Sequence, residues 1–406
     1  MARSKDWARL SRLRLRKPVP TADQLELKAL AHEFAEGELR PHTAAWDERR
    51  ALDDDIFEKL AELGFLGMLV PEEHGGLGFD LATYLIVLEE LAWGDAAVAL
   101  SVAIHNGPVS GIMVRLGTDA QKADWLPRMA SGEALGAFAL SEPGAGSDAA
   151  SISTRAEPDG DGWRLHGTKR WVTNGARAGL VITFARTSEE GLGAFIVSPE
   201  MEGYSAGARE KTLGLRASET VSAELDGVYV PAEGLLGDAG SGLRYALEAL
   251  DIGRVGVAAH AVGVGRAALE HATEYSLGRE QFDQPIARFG AIQAKLADMA
   301  HRLAAARALA HEAAEVLQAT LKKGSGHPRT GLDGATARAA MAKLAASEAA
   351  TWAADEAIQI YGGYGYMRHY PVEKLLRDAK GAEIYAGTSE IMRQVIAREI
   401  LRDAAT

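Results

Sequence analysis

Residues 376–392 read LRDAKGAEIYAGTSEIM. A charged helical segment runs into a short break at Ala386-Gly387, and Thr388-Ser389-Glu390 then precede another apolar-periodic run. Glycine at a break permits backbone geometry that other residues resist. Thr388 or Ser389 is placed to cap the helix that follows. A helix start offers free backbone N–H groups, which favour an anion or a ligand oxygen. Read alone, the stretch is equally a capped turn between two helices.

The 406-residue chain is long enough for two or three domains, or for one multi-layer unit. It is 47% hydrophobic and 25% charged, the balance of a globular protein. No run of 18 apolar residues without charge stands out, so no membrane span is expected. The absence of cysteine excludes disulfides, thiolate metal sites and cysteine nucleophiles, and fits a cytoplasmic protein. No metal site is expected. A net charge of −12 argues against non-specific nucleic-acid binding. The exception is a basic arm over residues 1–20, where Arg3, Lys5, Arg9, Arg12, Arg14, Arg16 and Lys17 alternate with leucines. It lacks the apolar core of a secretory signal and reads as a poorly ordered arm.

The expected order is helices, strands, helices, an α+β chain. Over 21–136 the spacing of Leu25, Leu27, Leu30, Phe34 and Leu39 is helical, as is that of Ile56, Leu60 and Leu63. Residues 71–79, PEEHGGLGF, form a loop. Tyr84 to Leu100 is an apolar helix with Glu89, Glu90 and Asp95 at its polar edge. Over 137–238 the period changes to that of short strands, with candidates at Trp163–Gly167, Leu180–Ala185, Leu192–Val197 and Val221–Val230. That pattern suits a barrel or a sandwich. Over 239–406 the chain is helical again and rich in alanine, as in a four-helix bundle. One face is expected to carry Ile292, Leu296, Met299 and Leu303, and another Met341, Leu344, Ala345 and Trp352, with a polar break at residues 324–334.

Five more stretches carry polar or glycine patterns of interest. LSEPGAGSD at 140–148 holds Gly144 and Gly146, which allow close backbone approach, and Ser141 and Ser147, which donate hydrogen bonds. It is not the GxGxxG nucleotide fingerprint. In RWVTNG at 170–175, following a strand, Trp171 either stacks on an aromatic cofactor or fills the core, and Thr173 could bond the edge of the same cofactor. Asp251 and Arg254 share a helix face, as a local pair or as holders of a polar ligand. Arg279 could contact a phosphate through two donors. Gly362-Gly363 permits close approach. Each has a structural explanation when taken singly.

Together and in order, LSEPGAGSD, RWVTNG, REQF at 279–282, QIYGGYGY at 359–366, YPVEKLLRDAK at 370–380 and IYAGTSEIMR at 384–393 resemble the acyl-CoA dehydrogenase family. The resemblance runs from about Thr21 to Leu401. It implies an N-terminal helical domain, a middle β domain and a C-terminal four-helix bundle in a homotetramer, a dimer of dimers. It implies non-covalent FAD, an acyl-CoA substrate oxidised at Cα–Cβ in fatty-acid β-oxidation, and an electron-transferring flavoprotein as acceptor. By the same resemblance Phe138, Leu140, Ser141, Gly146, Ser147, Trp171, Val172 and Thr173 hold the flavin ring. Arg279, Gln281 and Phe282 reach the pyrophosphate and adenine of a neighbouring subunit's FAD. Gln359, Gly362 and Gly363 cross the dimer interface to it, and Thr388 and Glu390 lie near the adenosine half. Ser147, Asp251, Arg254, Tyr385 and Gly387 contact substrate, whose acyl pocket borders Ala99–Ala103 and Tyr245.

The resemblance also implies a mechanism. The backbone N–H at Ala386 and a ribityl hydroxyl of FAD bond the thioester oxygen, as an oxyanion hole does. A carboxylate removes the α proton while the β hydride passes to the flavin. Many members carry that glutamate where this chain has Ala386; a second group carries it where this chain has Gly253. Neither residue can accept a proton through its side chain. Glu248, five residues from Gly253 and on another helix face, is a possible substitute base, and His105 and Tyr385 are possible acceptors or relays. The alternatives are a base-deficient variant, a divergent acyl-CoA-binding flavoenzyme, and a non-catalytic structural protein.

Overall fold

The computed structural model describes residues 20–189, 191–322 and 334–405. The basic arm and most of the 324–334 break lie outside them. The N-terminal region contains α1 (Ala22–Phe34), α2 (Thr43–Arg49), α3 (Ile56–Glu62), α4 (Leu81–Gly94), α5 (Ala96–Ile104), α6 (Gly111–Leu116) and α7 (Asp119–Ala130). Their starts are written in the sequence. Thr21 and Thr118 form capping boxes with Gln24 and Gln121, and Asp80 and Asp95 cap α4 and α5 through their carboxylates. The expected loop at residues 71–79 is present, with one 3-10 turn at Glu72–His74.

Two expectations for this region need correction. Glu89, Glu90 and Asp95 do not form a solvent edge; all three are buried. Arg266 and Arg307 pair with Glu89, Arg266 with Glu90, and Lys374 with Asp95. A buried carboxylate without such partners would be costly, so the long helices of the C-terminal region supply them. Ala96–Leu116 is long and apolar enough to cross a membrane, with mean hydropathy 1.5, yet 83% of that window is buried inside the protein. Its middle turns as a π-helix at His105–Ser110 around Pro108, and the Ser110 hydroxyl donates to the His105 carbonyl at 2.8 Å.

The middle region holds β1 (Gly136–Ala139), β2 (Arg155–Asp159), β3 (Gly162–Thr173), β4 (Leu180–Arg186), β5 (Leu192–Val197), β6 (Tyr204–Ala206), β7 (Thr220–Val230) and β8 (Leu235–Leu236). They make one mixed sheet in the order β6-β7-β3-β2-β4-β5-β8, with β1 parallel to β4. Strand β4 is buried on both faces. Val181 and Ala185 face a core shared with β3 and β7, while Leu180, Ile182 and Phe184 face α6, α7 and the helix that follows the sheet.

That helix, α8 (Gly242–Gly278), has 37 residues and is ~55 Å long. A tight hairpin, β9 (Glu280–Gln281) and β10 (Gln284–Pro285), then leads to α9 (Gly290–Lys322), α10 (Ala335–Tyr361), α11 (Pro371–Ala382) and α12 (Ser389–Ala405). Helices α8, α9 and α10 pack on one another, α4 lies on α8, and α11 and α12 lie on α10. The expected face of α9 is present, with Met299 and Leu303 fully enclosed. On α10 the sequence misleads. Ala339, Ala342, Ala346, Ala350, Ala353 and Ala357 are buried, whereas Met341, Leu344 and Trp352 are only half-buried. Small residues occupy the bundle centre because they let helix backbones approach. The same logic governs Gly263 of α8, where an added Cβ would lie 2.4 Å from the Glu89 carbonyl oxygen of α4. Gly263→Val is therefore expected to cost about 1–3 kcal/mol, read as a lower midpoint in denaturant unfolding with the helical circular dichroism retained.

Candidate active site

The stretch quoted at the outset is the linker between α11 and α12. Ile384 and Tyr385 close the end of α11 by donating to the Gly381 carbonyl at 2.9 and 3.1 Å. Ala386 then takes a left-handed conformation, φ +55°, and Gly387 has φ +98°. The Thr388 hydroxyl accepts from the Ile391 N–H at 3.3 Å and caps α12. Two cations hold the loop from behind. Arg254 of α8 donates from Nε to the Ala386 carbonyl at 3.3 Å, and Lys343 of α10 donates from Nζ to the Gly387 carbonyl at 2.7 Å. Among the described residues, the N–H groups of Ala386, Gly387 and Thr388 donate to no acceptor. Three backbone donors are thus free in a loop whose carbonyls are tied back, an arrangement that suits a ligand oxygen.

Arg254 and Asp251 are buried, 4% and 2% exposed, and paired at 2.8 Å. The second Asp251 oxygen accepts from the Thr336 hydroxyl at 2.7 Å. Of the five residues expected to touch substrate, Asp251 and Arg254 form a buried pair behind the loop. Glu390 is exposed, and its carboxyl is held below the ordinary range by its own backbone N–H and the Thr388 hydroxyl. Thr388 and Glu390 dress the start of α12.

The second part of the site is the rim of the β sheet. Lys169 of β3 reaches from the core to the Glu142 carboxylate at 2.7 Å and to the Leu140 carbonyl at 3.1 Å. Glu142 also accepts from Ser153 N–H at 2.6 Å and Thr154 N–H at 3.0 Å. Burial disfavours its charge, but the Lys169 ammonium and these donors win and hold its carboxyl down to about 2. Burial in turn pulls Lys169 down to about 8. This anchor stretches residues 140–148 across the sheet, leaving Gly144 and Gly146 facing open space. The turn in front of it carries Trp171. RWVTNG does not follow a strand, as expected, but begins inside β3. The register against β7 shifts between Lys169 and Val172, and Trp171 bulges out with φ +56° and 55% exposure. A tryptophan held open in a disfavoured backbone conformation suits a planar ring better than the core. Phe138 is half-buried beside Phe184, with ring centroids 5.1 Å apart. Ser141, Ser147 and Thr173 keep some exposure. Val172 and Leu140 do not offer their side chains: both are packed in hydrophobic cores, so only their backbones can meet a cofactor.

The third part lies at the far end of α8. Arg279 is 25 residues beyond Arg254, or ~38 Å along the helix. With Gln281, Gly362 and Gly363 it lines a cavity of about 410 Å³. Tyr275, Tyr361 and Tyr364 also line it, beside Ile286, Ile360 and Met367, and none of the three tyrosines is a candidate from the sequence. The stacking of Tyr275 on Tyr361, 3.9 Å between centroids, brings together residues 86 positions apart, a pairing no local pattern signals. Phe282 and Asp283, with φ +54° and +60°, form the hairpin tip, and Phe282 is 87% exposed. Gln359 is exposed on α10 outside this cavity.

The proposed substitute bases fare poorly. Glu248 pairs with Arg115 at 2.7 Å and Arg244 at 3.6 Å. His105 is sealed in the core, with Nε2 on the Leu66 carbonyl at 2.9 Å and Nδ1 accepting from Gly136 N–H at 2.8 Å. Burial drops it to about 4, so it is neutral. Tyr385 lies 3.3 Å from Nδ1 of His260, whose Nε2 faces the Ala96 carbonyl at 2.9 Å. Burial pushes the phenol well above its ordinary range, and the imidazole down to about 4.

The donor loop suits a ligand oxygen, the outward-facing Trp171 a planar ring and the Arg279 cavity an anionic group, all set on a helix–sheet–helix chain. Three family models match in series: the acyl-CoA dehydrogenase N-terminal domain at 21–133, middle domain at 137–228 and C-terminal domain at 240–401. The chain is 41% identical to the mitochondrial short-chain specific acyl-CoA dehydrogenase of Rattus norvegicus, over 98% of this chain and 95% of the relative. Among solved structures it is similar to butyryl-CoA dehydrogenase from Megasphaera elsdenii, with TM-score 0.89 and 38% identity over 95% of this chain and 100% of that one. A chain from a structure described as an electron transferring flavoprotein of Acidaminococcus fermentans gives 0.90 and 38%, over 96% and 100%. The chain belongs to the acyl-CoA dehydrogenase family and is an FAD-dependent oxidoreductase.

The residues present fit FAD. Trp171 offers a face for the ring system, Ser141 and Thr173 offer hydroxyls at its edge, and the Arg279 cavity offers a cation for the pyrophosphate. Two predictions follow from this geometry. Arg279→Ala should purify with substantially less flavin, read as the ratio of visible to ultraviolet absorbance, with the fold unchanged by circular dichroism. Glu142 contributes stability that is full above about pH 4.5 and is lost as pH falls toward 2. Glu142→Gln should flatten the stability profile across that window, measured by urea unfolding at pH 7 and pH 3.

Proposed function

We propose that the protein oxidises the Cα–Cβ bond of an acyl-CoA thioester to the trans-2-enoyl-CoA and passes the electrons to an electron-transferring flavoprotein. The observation that carries this reading is the loop at residues 385–388. It presents free N–H groups on one side, with Arg254 and Lys343 holding its carbonyls on the other. FAD, when bound, supplies the two-electron acceptor for the β hydride. The Ala386 N–H is placed to bond the thioester oxygen, and such a donor counts most when charge builds on that oxygen. Similarity to a short-chain specific enzyme and to butyryl-CoA dehydrogenase supports a short acyl chain. The ~38 Å between Arg254 and Arg279 supports a flavin site shared between subunits, with the Arg279 cavity serving a neighbour's cofactor in a dimer of dimers.

The loop offers backbone donors to the thioester oxygen, but neither base position brings a carboxylate to the α carbon. Ala386 offers a methyl group and Gly253 a hydrogen. This favours the base-deficient reading of the site, in which activity is present but slow. Both positions accept a carboxylate. Ala386 already carries a Cβ in its left-handed conformation, so Ala386→Glu adds no backbone strain. A Cβ on Gly253 would meet only Pro108 ring carbons, at 3.8 and 4.0 Å. Anaerobic mixing of the holoenzyme with acyl-CoAs of graded chain length should bleach the flavin slowly, with the enoyl product formed. Ala386→Glu should accelerate that bleaching by about 10²–10⁴, the usual worth of a general base. If neither Ala386→Glu nor Gly253→Glu brings any gain, the missing-base reading is wrong.

A further inference from the structure

We infer that Lys343 is a positioning residue for the thioester site: its ammonium holds the Gly387 carbonyl and thereby aims and strengthens the backbone donors of the 386–388 loop. This rests on the proposed placement of the thioester oxygen at that loop.

The argument starts from the trans peptide, in which the carbonyl of one residue and the N–H of the next point in opposite directions. The Ala386 carbonyl is drawn to Arg254, so the Gly387 N–H points away from α8. The Gly387 carbonyl is drawn to Lys343, so the Thr388 N–H points away from α10. Two consecutive peptide planes are thereby set by cations from two helices of the bundle. The Ser389 N–H closes the loop on the Glu383 carbonyl at 2.9 Å, and among the described residues the Ala386 and Gly387 carbonyls inside it accept only from these two cations, with Ala386 in a conformation that alanine disfavours. A cation on a carbonyl also polarises that peptide group, so Arg254 strengthens the Gly387 N–H and Lys343 the Thr388 N–H; the Ala386 N–H belongs to the Tyr385 peptide, is kept in place by the pair, and feels the Lys343 charge through space.

Lys343 is unusual for a lysine. It is fully buried in α10, at 0% exposure, yet it makes its hydrogen bond to a backbone oxygen. A lysine kept inside a protein without a carboxylate on its nitrogen pays for desolvation, and the loop is what it serves. The charged groups around it come from several elements. Arg254 of α8 opposes its charge, while Glu383 at the end of α11, Glu390 of α12 and Glu348 of its own helix favour it. Each is engaged elsewhere: Arg254 with Asp251, Glu383 with Lys380, Glu348 with Arg393, and Glu390 with the start of α12. The balance, led by burial, brings Lys343 down to about 8. Its charge is therefore full below that pH and lost above it. A neutral amine can still donate one hydrogen bond, but without the charge that polarises the peptide. Arg254 keeps its charge throughout and holds the neighbouring carbonyl, so the effect of Lys343 is graded.

The test uses the FAD-loaded enzyme and an aryl-conjugated 2-enoyl-CoA, whose absorption band moves to longer wavelength when its carbonyl is polarised. Bound to the wild-type protein at pH 7, the probe should show a red shift that decays as pH rises through about 8. Lys343→Met should show a smaller shift at every pH, without the decay near pH 8, and should bind the probe more weakly. Lys343→Arg should keep the shift and remove its decay at high pH. Flavin content should be equal in all three. A full shift in Lys343→Met, or the same pH decay in Lys343→Arg, overturns the inference while leaving thioester binding at the loop intact. Absence of any shift in the wild-type protein removes the proposed thioester placement and the inference with it.

Discussion

Lys374 is the residue on which the three regions converge. It is buried in α11, 8% exposed, between Asp95 at 3.2 Å and Asp378 at 2.7 Å. Asp95 simultaneously caps α5 through Ala97 and Val98 and accepts from the Thr43 hydroxyl. Asp378 accepts from the Leu215 N–H at 2.6 Å, in the segment that precedes β7. One ammonium thus ties the N-terminal helices, the sheet domain and the C-terminal bundle together. Burial alone would lower the Lys374 pKa, but its two carboxylates raise it well beyond the usual lysine value. Removing one member of such a cluster leaves an uncompensated buried charge, which makes the joint sensitive to any single change.

The joint matters because α11 ends four residues before the donor loop. The orientation of that helix sets where Ala386 and Gly387 emerge, and Arg254 and Lys343 then fix how their peptide planes turn. The site is therefore supported from two directions. Its backbone comes from a helix pinned to all three regions, and its polarity comes from two bundle helices. The β side repeats the design with the Lys169–Glu142 pair, which anchors the 140–148 segment beside Trp171. In each case a buried lysine acts on backbone carbonyl groups, and the exposed surface is left to the ligand.

Backbone strain marks the same places. Trp171, Phe282 and Ala386 all have positive φ, though none is glycine. Each stands at a turn where a regular element is interrupted: a bulge in β3, the tip of the β9–β10 hairpin, and the break between α11 and α12. Such conformations persist only where surrounding packing over-determines them. The sequence motifs RWVTNG, REQF and IYAGTSEIMR were legible as unusual, but the left-handed residue within each was not. Tryptophan, phenylalanine and alanine carry no local signal for it, unlike glycine or asparagine.

Much of the fold was legible in the chain itself. Thr21, Asp80, Asp95 and Thr118 announce helix starts, the continuous apolar run of β4 and the alternation in β7 announce strands, and the motifs in their order announce the family. Those features depend on neighbours in sequence, so sequence suffices. The absence of a carboxylate at Ala386 and Gly253 is likewise a fact of the sequence alone. The tertiary structure decided what long-range contacts control. It turned Asp251 and Arg254 inward as supports of the loop, made the alanine face of α10 the buried one, and buried Glu89, Glu90 and Asp95 against cations far along the chain. It also placed Lys343 behind Gly387, 44 residues away. A side chain's partner across such distances is set by how helices cross and sheets bend, and no local pattern in a single sequence encodes that geometry.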